Sequence, residues 1–178
     1  MKPVDLNKLK ALVHYICRTC GDVDKLGSVK LNKILWYSDG KNYLSTSDSI
    51  TGETYKKLQF GPVATHLNSA LDELKHEGLM TVQRDDDEQF STTKYYAKGD
   101  PKSSLFTPDE LKIVDDNIKW ICGDHSSTSI SERSHDSIWD MADMHEVIPY
   151  EALLVKKLGT ISEEDVAWAK SEFKRIYN

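Results

Sequence analysis

Apolar residues spaced at the helical repeat, punctuated by glycine and proline, restrict this chain more than any other feature. Leu6, Leu9, Val13, Ile16 and Cys20 recur at steps of three and four, which places them on one face of a helix over residues 4–20. Gly21 provides the stop, because glycine enters the left-handed conformation that closes a helix without a Cβ clash. After the loop DVDKLG, Ser28 can cap a second helix that runs to about Tyr43, with Leu31, Ile34, Leu35 and Ser38 along one side. Thr107-Pro108-Asp109-Glu110 is a capping box with proline at the first helical position, and Leu111, Val114, Ile118 and Ile121 form the stripe behind it. Ser162 with Asp165 three residues on, flanked by Ile161 and Val166 at staple positions, predicts a last helix over Ser162–Tyr177.

Between these helices the pattern changes. Ser45–Gly52 is turn-rich, and Glu53–Phe60 reads equally as a short helix or an extended segment. Gly61-Pro62 is expected to start a helix whose apolar face is Leu67, Ala70, Leu71 and Leu74, with Gly78-Leu79 closing it in Schellman fashion. Leu79–Gln83 and Thr92–Ala97 are β-prone runs around an acidic turn, hence a hairpin. Gly99–Ser104 is a linker, Gly123–Ser131 is polar and loop-like, Ser131–Met141 is expected to be helical, and Pro149–Leu158 a further short helix. The fold class is mainly α (α+β): a compact helical domain with one small β-hairpin, winged-helix-like in part, over a single domain of residues 1–178.

Apolar residues at 39% and charged residues at 29% fit a globular protein. No apolar run approaches the roughly 18–20 residues of a membrane span, and the first residues lack an export signal, so the cytoplasm is expected. The balance of 23 Lys/Arg against 29 Asp/Glu leaves a charge of −6, which suits a basic partner or plain solubility and works against nucleic acid. Three cysteines cannot all pair within the chain, so reduced thiols are expected.

Catalytic patterns are missing. The six histidines form no zinc-protease spacing, no serine sits in a Gly-x-Ser-x-Gly elbow, and no glycine-rich phosphate loop occurs. Cys17, Cys20, Cys122 and His125 could supply four ligands to tetrahedral zinc, but Cys17 and Cys20 lie on or beside the apolar stripe of the first helix, where free cysteine acts as a small hydrophobe. No cofactor, metal or enzymatic activity is expected. The helix before the hairpin would be the recognition helix of a winged-helix domain, yet Asp72, Glu73 and Glu77 would repel DNA. Ser131, Ser134, His135 and Trp139 read as a partly buried polar junction between helices. Trp36, Tyr37 and Tyr43 read as core packing, with an interface role as the alternative.

Several pieces occur together in a distinctive order. They are Lys30-Leu31-Asn32-Lys33 with Trp36-Tyr37 and Asp39, Ile50-Thr51-Gly52 with Tyr55, and Gly61-Pro62-Val63; Leu71, Leu74 and Gly78-Leu79 follow, then Ser131, Ser134-His135 and Trp139 with Ile148-Pro149-Tyr150. In this the chain resembles the Panacea domain, the SocA-like antitoxin family of bacteria and their phages, over residues 9–150, with the helix 162–177 expected to pack on it. A tryptophan at position 36, where tyrosine is more usual, is a mild departure. The resemblance implies an antitoxin that neutralises a cognate toxin protein by direct contact, the toxin being encoded by the adjacent gene. Some such proteins act as adaptors that hand the toxin to a protease. A transcription regulator, or a phage-encoded inhibitor of a host defence protein, is the alternative. The resemblance marks Lys30, Asn32, Tyr37, Asp39, Gly61, Pro62, Ser131, Ser134, His135 and Trp139 as signature positions, either structural or partner-binding.

Overall fold

The computed structural model describes residues 3–86 and 91–154. Helix α1 spans Leu6–Cys20, capped by the Asp5 carboxylate, which accepts from the Lys8 N–H at 2.9 Å, and closed by Gly21 at φ 68°. Leu9, Leu12, Val13 and Ile16 are fully buried, as the three–four spacing requires. Helix α2 spans Val23–Thr46 but bends at Gly27, whose φ of 62° and ψ of 169° are non-helical. The stretch expected as a loop thus holds a helical turn over Val23–Leu26, capped by Asp22, and the continuous helical part starts at Ser28, the expected position.

The segment after α2 departs from expectation. Tyr55–Leu58 forms strand β1, which settles the segment left open by sequence. Gly61–Ala64 is strand β2 and not a helix start. Helix α3, Leu67–His76, begins only after it. Its end has the predicted Schellman closure: the Leu79 N–H donates to the Leu74 carbonyl at 2.9 Å and the Gly78 N–H to Lys75 at 3.0 Å. Strands β3, Met80–Asp86, and β4, Ser91–Ala97, form the expected antiparallel hairpin.

Helix α4, Pro108–Asp124, starts at a full capping box on Thr107 and Glu110. Beyond it two expectations fail. The stretch read as loop contains helix α5, Ser127–Arg133, capped by Ser126 through its own box with Ser129, so Ser131 lies inside a helix. The helix expected over 131–141 is broken at Ser134, and helix α6, Ser137–Met141, restarts from an Asp136 cap. Strand β5, Val147–Ile148, follows, and helical structure begins at Ala152, inside the short helix expected from Pro149, and continues to Leu154, where the description ends. The last part of the short helix expected at 149–158, the whole helix expected at 162–177 and part of the acidic turn lie outside the described residues.

The mainly α class holds, with two small antiparallel sheets, β3–β4 and β2–β1–β5. Helix α2 is the centre: α1, α4, α5, β2 and β4 all pack on it. Helix α3 packs on α1, where the Lys10 ammonium pairs with Glu73 at 2.9 Å and Glu77 at 2.7 Å. Two of the acids on the winged-helix-like face are thus held by an internal lysine. No helix among the described residues is long and apolar enough to cross a membrane.

Candidate functional site

Asn32, Lys33 and Asp39 of α2 line a polar seam between that helix and the sheet β2–β1–β5. Register explains why they are polar. The Thr65 N–H donates to the Thr54 carbonyl at 2.9 Å, so hydrogen-bonded pairs alternate through Lys56–Val63 and Leu58–Gly61. Pro62 and Ala64 occupy the intervening positions, with their backbone polar groups turned away from β1 and toward α2. There the Ala64 N–H donates to Asn32 Oδ1 at 2.9 Å, and Lys33 Nζ donates to the Pro62 carbonyl at 3.0 Å. Pro62 has no N–H to leave unpaired, which is why proline fits this outward strand position. Asn32 Nδ2 also donates to the Ser28 carbonyl at 2.9 Å, joining the helix start to the strand.

Lys33 is only 1% exposed, and burial lowers its ammonium pKa from 10.5 to about 7. Between about pH 7 and 10.5 the unfolded chain therefore holds this proton and the folded chain releases it. Stability rises with pH across that window and is lost as pH falls toward 7, by up to about 1.4 kcal/mol per pH unit. Lys33→Met removes this dependence along with the bond to Pro62. In urea denaturation, wild type should gain stability over the variant steadily from pH 7 to pH 9.5. Parallel curves would show that the amine is not desolvated.

Further along α2, Asp39 is fully buried. Its Oδ1 accepts from the Thr51 N–H at 2.9 Å, and its Oδ2 accepts from the Thr51 and Tyr55 hydroxyls at 2.7 Å each. Burial pushes the carboxyl pKa up, against the pull of these three donors. Glu53, also fully buried, works as a second node. Its carboxylate accepts from the Thr54 N–H and from the His66 N–H at 3.0 Å, and faces His66 Nδ1 at 2.9 Å, beside the start of α3. Its backbone carbonyl accepts from the Tyr150 hydroxyl at 2.7 Å. Trp36 and Tyr43 stack on Tyr150, so the aromatics of α2 pack inward as expected, with Trp36 buried and Tyr43 half-buried.

The polar junction at 131–139 closes the other end of the seam. Gly61 has φ 95°, and a Cβ there would stand 2.1 Å from Ser134 Oγ and 2.5 Å from Lys33 Nζ. Ser134 donates to the Ser131 carbonyl at 2.7 Å, and both serines are buried. The Trp139 indole N–H donates to the Leu58 carbonyl at 3.2 Å, while its ring carries the His135 ring at 4.0 Å and the Lys57 ammonium at 3.9 Å. Lys57 Nζ donates in turn to the Ala142 carbonyl at 2.9 Å. Trp139→Phe keeps an aromatic ring but loses the indole bond and part of the packing on His135 and Lys57, so thermal or urea unfolding should show a loss of about 1–3 kcal/mol.

Asn32, Asp39, Gly61, Pro62, Ser131, Ser134, His135 and Trp139 thus lie along one seam. Lys30 and Tyr37 do not. Lys30 is buried beside Cys20 and Cys122, to whose thiols its charge is a minor influence. Tyr37 stands edge-on to Trp120 in a cleft of about 470 Å³ that Leu44, Lys41 and Leu153 also line. Burial, with the Asp136 carboxylate nearby, raises the Tyr37 pKa to about 12. The four candidate zinc ligands are not gathered: Cys17 is buried in the core, and His125 packs edge-on against Trp120 and faces Ser129 at 3.1 Å. No group of three His, Cys, Asp or Glu side chains poised for a metal occurs among the described residues. Sequence reasoning missed Glu53 and Lys57 as seam residues, since each gains its role only when distant segments meet.

Neither a curated protein nor a solved structure matches the chain. The sequence model of the family described as antitoxin SocA-like, Panacea domain, matches residues 31–140, from the helix that carries the seam through Trp139. That is more than half of the chain, and it covers nearly all the buried polar contacts just described. The chain belongs to the SocA-like antitoxin, Panacea-domain family.

Proposed function

We propose that this protein is an antitoxin that neutralises a cognate toxin, encoded by the adjacent gene, through direct protein–protein contact. The observation that carries this reading is the family match across residues 31–140. Membership of an antitoxin family favours a binding role over catalysis. The buried hydrogen bonds of Asn32, Asp39, Ser131 and Ser134 support a scaffold role for these positions, leaving recognition to residues on the outer surface. A formal charge of −6 suits a basic toxin, whose encounter it would accelerate by long-range attraction.

Co-expression tests this. The adjacent gene should arrest growth alone and cease to do so when this chain is produced with it, and the two products should copurify in fixed ratio. Rescue with disappearance of the toxin, dependent on a host protease, would identify the adaptor mechanism instead of blocking. A harmless neighbour and no partner on pull-down would defeat the proposal.

A further inference from the structure

Cys20 ends α1 and Cys122 lies in the last turn of α4, and their sulfurs stand 3.3 Å apart although 102 positions separate them in sequence. Both cysteines are free and half-buried. Each is followed by glycine: Gly21 takes a left-handed conformation, and Gly123 has open space where a Cβ would point. A disulfide needs its sulfurs near 2.05 Å, so an approach of about 1.2 Å is required, at two helix ends where the following backbone can give. The hydrogen bond to Cys20 and burial push the Cys122 thiol well up, a little offset by the buried Lys30 ammonium, and leave Cys20 as the sulfur that ionises first. The Cys122 hydrogen bond is the main influence that lowers the Cys20 thiol pKa to about 7, whereas burial pushes the Cys17 thiol well up.

We propose that Cys20 and Cys122 form a reversible redox clasp that reacts with low-molecular-weight disulfides of the glutathione class. The Cys20 thiolate attacks one sulfur of glutathione disulfide, the S–S bond breaks, and one glutathione thiolate leaves and takes up a proton. Cys122 then gives up its proton and its thiolate attacks the Cys20 sulfur. The mixed disulfide breaks, and the second glutathione leaves as the thiol. Two cysteine thiols are oxidised to one disulfide, and one glutathione disulfide is reduced to two thiols. The clasp ties the end of α1 to the end of α4. Cys17, sealed in the core, takes no part.

The test equilibrates the full chain in glutathione buffers from fully reduced to fully oxidised and maps the products by mass spectrometry under non-reducing conditions. A peptide linking Cys20 to Cys122, two hydrogens lighter and reopened by reduced glutathione, is expected. Closing so long a loop should raise the melting temperature by about 5–10 °C relative to the reduced protein. Cys20→Ser and Cys122→Ser should melt like the reduced wild type and show no such rise, while Cys17→Ala should still form the link. Stable glutathione adducts without the internal link, a link through Cys17, or no oxidation across the series would each overturn the proposal.

Discussion

Asp39→Ala is expected to lower stability by about 3–5 kcal/mol, enough to leave much of a marginally stable chain unfolded. The carboxylate is fully buried and receives three donors, two from Thr51 and one from Tyr55. Truncation removes the acceptor and leaves those donors in a site without water, at a cost of about 1–3 kcal/mol for each that finds no replacement. The damage should spread, because Thr51 also lends its carbonyl to the Asp5 N–H at 2.8 Å and so holds the start of α1. Asp39→Asn keeps the shape and one acceptor, and rotation of the two hydroxyls can accommodate the amide, so a smaller loss is expected. Urea denaturation of the two variants beside Tyr55→Phe gives the comparison. A loss below about 1 kcal/mol for Asp39→Ala would mean that the node does not hold this segment.

Gly61→Ala should cost nearly as much, for two separate reasons. The backbone φ of 95° is one that side chains disfavour, a strain of about 1–3 kcal/mol. The new methyl would also press on Ser134 Oγ and Lys33 Nζ, and crowding in a packed interior adds about 1–3 kcal/mol. The causes can be separated. Ser134→Ala in the Gly61→Ala background removes the nearest obstructing atom but leaves the backbone strain, so the double variant should recover part of the loss. Strict additivity of the two changes would show that the methyl group does not meet the serine.

How much of this was readable beforehand depends on how far each determining partner lies along the chain. The α1 stripe, the Thr107 capping box and the Gly78-Leu79 closure are complete within one helix, and all three are present as expected. Gly61-Pro62 is ambiguous in sequence because the same dipeptide serves a helix start and an outward-facing strand position. The groups that decide between them, Asn32 and Lys33, lie about thirty residues earlier. The α5 start was missed because its box uses Ser129 in place of the usual Glu or Gln. Asn32, Asp39 and Ser134 were visible as members of an ordered pattern, but nothing local assigns them their partners. Glu53 carried no local signal at all, since its neighbours at His66 and Tyr150 come from separate elements.

The seam also bears on how the protein keeps to itself in a crowded solution. A strand with free outward amides and carbonyls invites a neighbouring molecule to add its own strand, the first step of edge-to-edge polymerisation. Along β2 the outward Pro62 carbonyl and Ala64 N–H are already taken by Lys33 and Asn32, which works against recruitment at that border. The opposite border is β5, only two residues long, too short a template for a stable intermolecular ladder. Helix α2 thereby also guards this sheet against aggregation.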